Sequence, residues 1–175
     1  MSQITVYHYD AFTETPNKGN PAGIVIDAKH LTDEQMQEIA YKVGFNETAF
    51  VVKSDKADLQ IRYFTPGHEM NLCGHGTIAT LYCLKSRNLL TDSNHITIET
   101  KAGILPVSFT GKNKSLKIRM EHAAPCFKNF GGSIEELACV LGIDENDIDI
   151  SIPTVYGSTG TWTLLVPIKS LETFS

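Results

Sequence analysis

The segment that most constrains the fold runs from Thr77 to Leu84, because its residues are apolar or small on every side. Among them are Ile78, Ala79, Leu81, Tyr82 and Cys83. A helix without a polar face is buried all round. We therefore expect a central helix enclosed by strands, in a chain whose 175 residues are enough to bury a sizeable core.

The residues ahead of this helix, Cys73-Gly74-His75-Gly76, place a thiol and an imidazole around a glycine turn. A helix N-terminus presents unpaired backbone N–H groups and the positive end of the helix dipole, and glycine lets a small anion approach the backbone closely. The turn therefore predicts an anion-binding site at Gly74, Gly76 and Thr77. A carboxylate substrate would suit such a site.

Glu47 is the second informative position, because it interrupts a stretch from Gly44 to Phe50 that otherwise predicts a turn entering an apolar strand. If the strand carries Glu47 into the same cleft as His75, desolvation disfavours the charged carboxylate and makes Glu47 a plausible proton carrier. The alternative is a partly exposed carboxylate that caps nearby N–H groups. For His75 the alternative is a helix-start histidine that bonds to the backbone.

Two further helices and a series of strands are predicted around the central helix. One helix begins at the capping box of Thr32 and ends at Gly44, and the other begins at cap Ser133 and ends at Gly142. Strands are predicted at residues 4–9, 22–27, 48–53, 59–64, 96–99, 104–109, 116–120, 154–156 and 162–168. The acidic tract 144–149 is predicted to be a solvated connection.

Charge and composition indicate a small-molecule partner. A net charge of −5, with no basic cluster denser than Lys112-Asn113-Lys114, argues against nucleic acid. No apolar run reaches the length of a membrane span, and the opening from Met1 to Val6 has no signal-peptide pattern, so we expect a cytoplasmic protein that does not bind membranes. The four cysteines show no C-x-x-C spacing, so we expect them to be reduced.

Five short motifs follow one another along the first half of the chain. They are Asp10-Ala11-Phe12-Thr13, Gly19-Asn20-Pro21-Ala22-Gly23, Asn46-Glu47-Thr48-Ala49-Phe50, Arg62-Tyr63-Phe64-Thr65-Pro66 and Cys73-Gly74-His75-Gly76-Thr77. Together they resemble the motifs of the PhzF-like (phenazine biosynthesis) family. The resemblance implies an α+β, diaminopimelate epimerase-like fold, in which two related domains each wrap a β-barrel-like sheet around a central helix, with the active site between them. It also implies isomerisation without a cofactor.

The resemblance assigns roles to single residues. Glu47 matches the family's general acid/base carboxylate, and His75 matches its substrate-contacting histidine. Cys73 stands where epimerase relatives keep a catalytic thiol. Asn20 either stabilises its own turn or binds substrate, since its equivalent in the epimerase relatives lies near substrate. Gly76 stands where many members have alanine, a change expected to loosen the turn without removing a functional group.

The resemblance accounts for a first domain at residues 1–125, a helix and connection at 126–153, and the start of a second domain at 154–175. The family's second domain supplies a motif of the form Gly-Asp-Pro-Ala-Thr-Gly-Ser, which this sequence does not contain. The chain is therefore truncated, completes its site with another subunit, or is not an enzyme. We expect a homodimer, because a truncated first domain would expose an apolar patch.

The leading hypothesis is a cofactor-independent isomerase. Glu47 would move a proton on a small carboxylate-bearing metabolite, while the Gly74–Thr77 helix start holds the anion. One alternative is a catalytically incomplete binding or scaffold protein, and another is a thiol-dependent racemase or epimerase that uses Cys73. Glu47, Cys73 and His75 carry metal-ligating groups, but their order matches no recognised spacing, so we expect no metal.

Overall fold

The structure is a computed structural model that describes residues 3–111 and 115–174. The predictions that concern Lys112-Asn113-Lys114 and the two ends of the chain fall on residues outside these ranges. No helix within the ranges is both long enough and apolar enough to cross a membrane. The chain divides into two compact units, one up to Ala123 and the other from Ala124 onward. The domain boundaries expected from the sequence stay a prediction.

The first unit contains a mixed sheet and two helices. Its strands are β1 (Tyr7–Ala11), β2 (Asn20–Val25), β3 (Thr48–Val52), β4 (Leu59–Phe64), β5 (Glu69–Met70), β6 (His95–Thr100), β7 (Gly103–Thr110) and β8 (Lys117–Met120), and its helices are α1 (Asp33–Val43) and α2 (Gly74–Ser86). The strand order is β1-β2-β3-β4-β6-β7-β8, with β5 paired to β4. The pairs β2–β3 and β4–β6 are parallel, and the other pairs are antiparallel.

Helix α2 lies at the centre of the first unit and packs against β1, β2, β3 and β8. Since β1 and β8 are the two ends of the strand order, the sheet curls around the helix as a half-barrel. Leu81 is fully buried, whereas Tyr82 is 37% exposed. The expected sheet around a central helix is confirmed. The helix begins at Gly74, earlier than predicted, because the Cys73 side chain caps it by accepting the Gly76 N–H.

Helix α1 has the predicted ends. The Thr32 hydroxyl accepts the Gln35 N–H, and the Gln35 side chain accepts the Thr32 N–H, which completes the capping box. Gly44 ends the helix at φ 72°, in the left-handed region that glycine adopts without strain. Met36 and Ala40 form the buried face of this helix, which contacts β3 and β4.

The second unit is built on a three-stranded antiparallel sheet. Its elements are β9 (Cys126–Asn129), α3 (Ile134–Leu141), β10 (Val155–Ser158) and β11 (Trp162–Leu165), with short 3-10 helices at Glu145–Asp147 and Leu171–Phe174. Ser133 caps α3 and Gly142 ends it, as predicted. The acidic tract differs from the expected solvated connection, because it contains the first 3-10 helix and its Ile148 is only 1% exposed.

The nine strands predicted from the sequence are all present, with ends shifted by a few residues. Strand β1 is displaced toward the C-terminus, because its ladder with β2 extends to the pair Ala11 and Asn20. Two strands were missed. Strand β5 has two residues, which is too short to show an alternation of apolar and polar residues. Strand β9 is exposed on both faces, so its residues need not alternate in this way.

Candidate active site

Glu47 and His75 lie side by side in the first unit. Glu47 immediately precedes β3, and His75 is the second residue of α2. Glu47 Oε2 and His75 Nε2 are 3.1 Å apart, and the two side chains are only 16% and 11% exposed. The Gly23 N–H donates to the Glu47 carbonyl oxygen at 3.1 Å, which ties this backbone to β2. The structure therefore brings together the predicted proton carrier and the predicted substrate contact.

One oxygen of the Glu47 carboxylate has no hydrogen-bond partner among the described residues. This oxygen, Oε2, is buried, and His75 Nε2 lies at contact distance without hydrogen-bond alignment. A buried polar atom left unpaired costs about 1–3 kcal/mol. In native structures such an atom calls for an explanation, such as catalysis or a bound ion. Oε2 therefore offers a free lone pair to a substrate proton or to a cation.

Cys73 caps α2 and contacts His75. Its Sγ accepts the Gly76 N–H at 3.3 Å and lies 3.4 Å from His75 Nδ1. Burial, only partly offset by the Gly76 N–H, raises the pKa of the Cys73 thiol to about 12, and the charge of Glu47 adds to the rise. The thiol is therefore protonated at neutral pH, which favours Glu47 over Cys73 as the base.

The start of α2 has fewer free donors than the sequence suggests. The Gly76 N–H donates to Cys73 Sγ, and the Thr77 N–H donates to the Cys73 carbonyl oxygen at 3.0 Å. A Cβ atom added at Gly74, by contrast, would meet no heavy atom within 4 Å, so this residue borders open space. Of Gly74, Gly76 and Thr77, Gly74 is therefore the residue that a ligand can approach most easily. Substrate binding by Gly74, Gly76 and Thr77 stays a prediction.

Gly76 lies tightly against its neighbours. A Cβ atom at this position would be 3.1 Å from Cys73 Sγ and 3.5 Å from Tyr63 Cδ1. The alanine expected from the family resemblance would therefore crowd the thiol. The glycine leaves room for the Cys73 side chain, which gives it a packing role. The looser turn stays a prediction.

A buried chain of hydroxyl groups supports the cap, and it was not predicted from the sequence. The Thr77 hydroxyl donates to the Cys73 carbonyl oxygen at 2.7 Å. The Tyr63 hydroxyl, 2.6 Å from Thr77 Oγ1, is therefore the donor in that pair. Burial raises the pKa of Tyr63, which keeps this donor protonated. The alternation of β4 marks Tyr63 as inward-facing, but only the folded chain identifies its partner.

Two further polar residues lie at the starts of β2 and β3. Asn20 is the first residue of β2, where it pairs with Ala11. Substrate binding by Asn20 stays a prediction. Thr48 is fully buried, and its Oγ1 has no hydrogen-bond partner among the described residues. Thr48 was not predicted to be a site residue, although its position directly after Glu47 could have indicated it.

An ion-pair network holds the hairpin that leads to Cys73. Arg62 Nε and Nη2 donate to the two Glu69 carboxylate oxygens at 2.7 and 2.8 Å. Arg62 Nη1 donates to Asp33 at 2.7 Å, and Lys101 donates to Glu69. Burial acts to raise the pKa of Glu69, but Arg62 and Lys101 outweigh it and lower the pKa. The network therefore joins β4, β5 and the first turn of α1.

Glu47, Cys73 and His75 match no recognised metal-binding spacing in the sequence, but the folded chain brings their metal-ligating groups together. Each offers one ligand atom, and the three atoms lie within 4.8 Å of one another. A carboxylate oxygen, a sulfur and an imidazole nitrogen are all zinc ligands in proteins. The same atoms can transfer protons or bind a cation, but they cannot do both at once.

The sequence is similar to those of proteins named as isomerases. The family described as "Phenazine biosynthesis-like protein" matches residues 9–175. The Bacillus subtilis protein named "Uncharacterized isomerase YfhB" is 50% identical over 172 residues, which are 98% of this chain and 59% of that protein. The trans-2,3-dihydro-3-hydroxyanthranilate isomerase of Pseudomonas chlororaphis is 33% identical over 152 residues, 84% of this chain and 53% of that protein. The chain thus spans less than two thirds of the length of these relatives.

The fold is similar to those of solved structures. A crystal structure of the Bacillus anthracis phenazine biosynthesis protein of the PhzF family matches with a TM-score of 0.75 and 58% identity, over 99% of this chain and 58% of that chain. A probable proline racemase from Agrobacterium radiobacter matches with a TM-score of 0.64 and 11% identity, over 94% of this chain and 52% of that chain. The second likeness shows the fold alone. The predicted diaminopimelate epimerase-like fold is confirmed.

Proposed function

The chain belongs to the phenazine biosynthesis-like protein family. On that premise, we propose that it is part or all of a cofactor-independent isomerase, which moves a proton on a small carboxylate-bearing metabolite. The observation that carries this proposal is the 3.1 Å approach of Glu47 Oε2 to His75 Nε2 in a largely buried pair. The names of the relatives support the reaction class. The anthranilate in one of those names is itself a carboxylate.

Glu47 is the base and the returning acid in this proposal. Its Oε2 has a free lone pair and little water around it, so a substrate C–H placed against it meets an acceptor that needs no rearrangement. His75 Nε2 lies beside the same oxygen, where it can contact the substrate during the transfer. The proton leaves carbon for Glu47 and returns from Glu47 to a different carbon or face.

The start of α2 stabilises the negative charge that this step creates. Removing a proton next to a carboxylate moves charge onto the substrate oxygens, and a preorganised positive end lowers the energy of that state. Gly74 borders open space at this helix end. The open space at Gly74 supports the proposal that the substrate carboxylate binds there, within reach of the first turn of α2.

The test is deuterium exchange followed by NMR in D₂O. The first compound is trans-2,3-dihydro-3-hydroxyanthranilate, followed by a panel of small carboxylates that carry an acidic C–H. We expect deuterium to enter a ligand in the presence of the unsubstituted protein. Glu47→Gln keeps the shape of the side chain and removes its acid–base function, so we expect exchange to fall at least about 100-fold.

Glu38→Gln is the matched control, because Glu38 lies exposed on α1 and its ion pair is with Lys42, one turn away. This control should exchange at the unsubstituted rate. Exchange that survives Glu47→Gln but is lost in Cys73→Ala would replace the proposal with the thiol-dependent racemase. A ligand that binds without exchanging deuterium would indicate the binding or scaffold protein.

A further inference from the structure

We propose that Glu47, Cys73 and His75 form a binding site for one Zn²⁺ ion, and that the bound ion blocks proton transfer at the same residues. Binding of the ion does not depend on the proposed isomerase reaction. Only the inhibitory effect rests on it. The three ligands come from two places that the fold brings together, the residue before β3 and the first turn of α2 with its cap.

The distances between the candidate ligand atoms are close to those of a tetrahedral site. Zn²⁺ bonds of about 2.0–2.3 Å place nitrogen and oxygen ligands about 3.3 Å apart and nitrogen and sulfur ligands about 3.6 Å apart. Glu47 Oε2 and His75 Nε2 are separated by 3.1 Å, and Cys73 Sγ and His75 Nε2 by 4.0 Å. The full set lies within 4.8 Å. Because Cys73 Sγ lies 3.4 Å from His75 Nδ1 and 4.0 Å from Nε2, the Cys73 side chain must move toward Nε2 to complete the site.

The charges and the burial of the site favour a divalent cation. A carboxylate and a thiolate together carry two negative charges, which cancel the charge of Zn²⁺, while His75 ligates in its neutral form. The lone pair of Glu47 Oε2 is already desolvated and unused among the described residues. The positive end of α2 would repel a bare cation, but the Gly76 N–H there donates to Cys73 Sγ and so stabilises the thiolate ligand.

Binding involves one exchange of bonds. The Cys73 S–H bond breaks, an Sγ–Zn²⁺ bond forms, and the proton passes to the buffer. Three protein ligands leave a fourth position for water. Once Glu47 Oε2 and His75 Nε2 donate their lone pairs to the metal, these two atoms cannot accept a proton, and the ion occupies the place of the substrate C–H. The ion therefore holds the site in an inactive state until a chelator removes it.

The test measures Zn²⁺ and Co²⁺ binding to the whole chain, with the exposed Cys126 and Cys139 replaced by serine to remove surface thiols. Isothermal titration should show about one Zn²⁺ with proton release, and Co²⁺ should give a thiolate-to-cobalt charge-transfer band. We expect Cys73→Ser to abolish the band and to lower Zn²⁺ affinity at least about 100-fold. Serine can still cap α2, so this variant tests the ligand rather than the fold.

Cys83→Ser is the matched control, because Cys83 is a second buried, free thiol on α2. It should leave both signals unchanged. Glu47→Gln should lower affinity at least about 10-fold. Zn²⁺ binding that is absent at micromolar concentration, or that is unaffected by Cys73→Ser, overturns the metal site.

The inhibitory effect has its own readout. With any ligand that exchanges deuterium, one equivalent of Zn²⁺ should stop the exchange and EDTA should restore it. Exchange that continues with the ion bound overturns the inhibition. If no ligand exchanges deuterium, the proposed function fails, but the titration still decides whether the ion binds.

Discussion

At the scale of single residues, the contact between Gly76 and Cys73 couples the start of α2 to the thiol. A Cβ atom at residue 76 would be 3.1 Å from Cys73 Sγ. We expect Gly76→Ala to lower the free energy of unfolding by about 1 kcal/mol, because crowding of about 1–3 kcal/mol exceeds the gain of about 1 kcal/mol from alanine in a helix. Urea unfolding measures the change.

The effect should vanish when the thiol is removed. In a double-mutant cycle with Cys73→Ala, Gly76→Ala should cost little or nothing, because the space that Sγ fills becomes free. Gly74→Ala is the control, since its added Cβ meets no heavy atom within 4 Å. Strict additivity of the two substitutions would contradict the proposed contact.

The buried Cys73 thiol also makes stability depend on alkaline pH. Its pKa is raised from an ordinary value of 9.0 to about 12, first of all by burial. Below pH 9 the thiol is protonated in both states. Between pH 9 and 12 the unfolded chain loses the proton while the folded chain keeps it, so the free energy of unfolding falls as pH rises.

We expect Cys73→Ala to make that fall shallower, as measured by urea unfolding at a series of alkaline pH values. Some fall should remain, because burial also raises the pKa values of Tyr63 and Cys83. Cys126→Ala is the control, because this cysteine is exposed. A slope that is the same in the unsubstituted protein and in Cys73→Ala would show that the thiol is not buried in the folded protein.

At the scale of secondary-structure elements, Arg62 joins β4, β5 and α1 through its bonds to Glu69 and Asp33. Lysine cannot make the two parallel bonds to Glu69, so we expect Arg62→Lys to lower the free energy of unfolding by about 1–2 kcal/mol. Arg119→Lys, on an exposed position of β8, should change it little. Equal stability of the two variants would contradict a structural role for the network.

The same network predicts a loss of stability in acid. The pKa of Glu69 is lowered in the folded protein, since Arg62 and Lys101 outweigh the effect of burial. Its stabilising contribution is therefore present above the ordinary value of 4.5 and is lost as the pH falls below it. Glu69→Gln should flatten this part of the stability curve, and an unchanged curve would contradict the assignment.

The sequence was sufficient to predict the helices, because their ends carry local chemistry. Helix α1 begins after Thr32 and ends at Gly44, and both residues form hydrogen bonds with residues nearby in the sequence. The local sequence was therefore sufficient to predict both ends. Cys73 as a helix cap was missed, because serine, threonine, aspartate and asparagine are the usual caps. Strand β9 was missed because none of its residues is buried.

The site was predictable only in part. The sequence motifs identified Glu47, Cys73 and His75 as candidate site residues. In the fold, His75 lies within contact distance of both Glu47 and Cys73. The partners that support them depend on long-range packing. The bond between Tyr63 and Thr77 requires β4 to lie against α2, and no local pattern encodes that pairing.

At the scale of the whole molecule, the apolar surface of the second unit bears on association. A cavity of about 590 Å³ there is lined by Phe127, Ile152, Pro153, Val155, Leu165, Val166 and Pro167. Exposed apolar patches of this kind promote contacts between proteins. The homodimer predicted from the sequence was assigned to a patch of the first domain; we propose instead that it forms through this surface, so Leu165→Asp should shift the protein toward monomer in sedimentation velocity.

Leu89→Asp is the control for that shift, because Leu89 is a similarly exposed leucine of the first unit, 54% exposed against 46% for Leu165. It should leave the sedimentation coefficient unchanged. An unsubstituted protein that sediments as a monomer, or a dimer that persists in Leu165→Asp, would contradict the association through this cavity.

The central position of α2 has a consequence for how a new copy of the protein is made. The helix needs both β1 and β8 for its cover, and β8 leaves the ribosome well after the helix does, because the three elements lie in that order along the chain. Until β8 emerges, part of the apolar surface of α2 stays exposed to solvent. Because domains generally fold as whole units, the first unit cannot complete its fold before then. The order of the strands therefore sets the interval during which the apolar sides of α2 are exposed on a nascent chain.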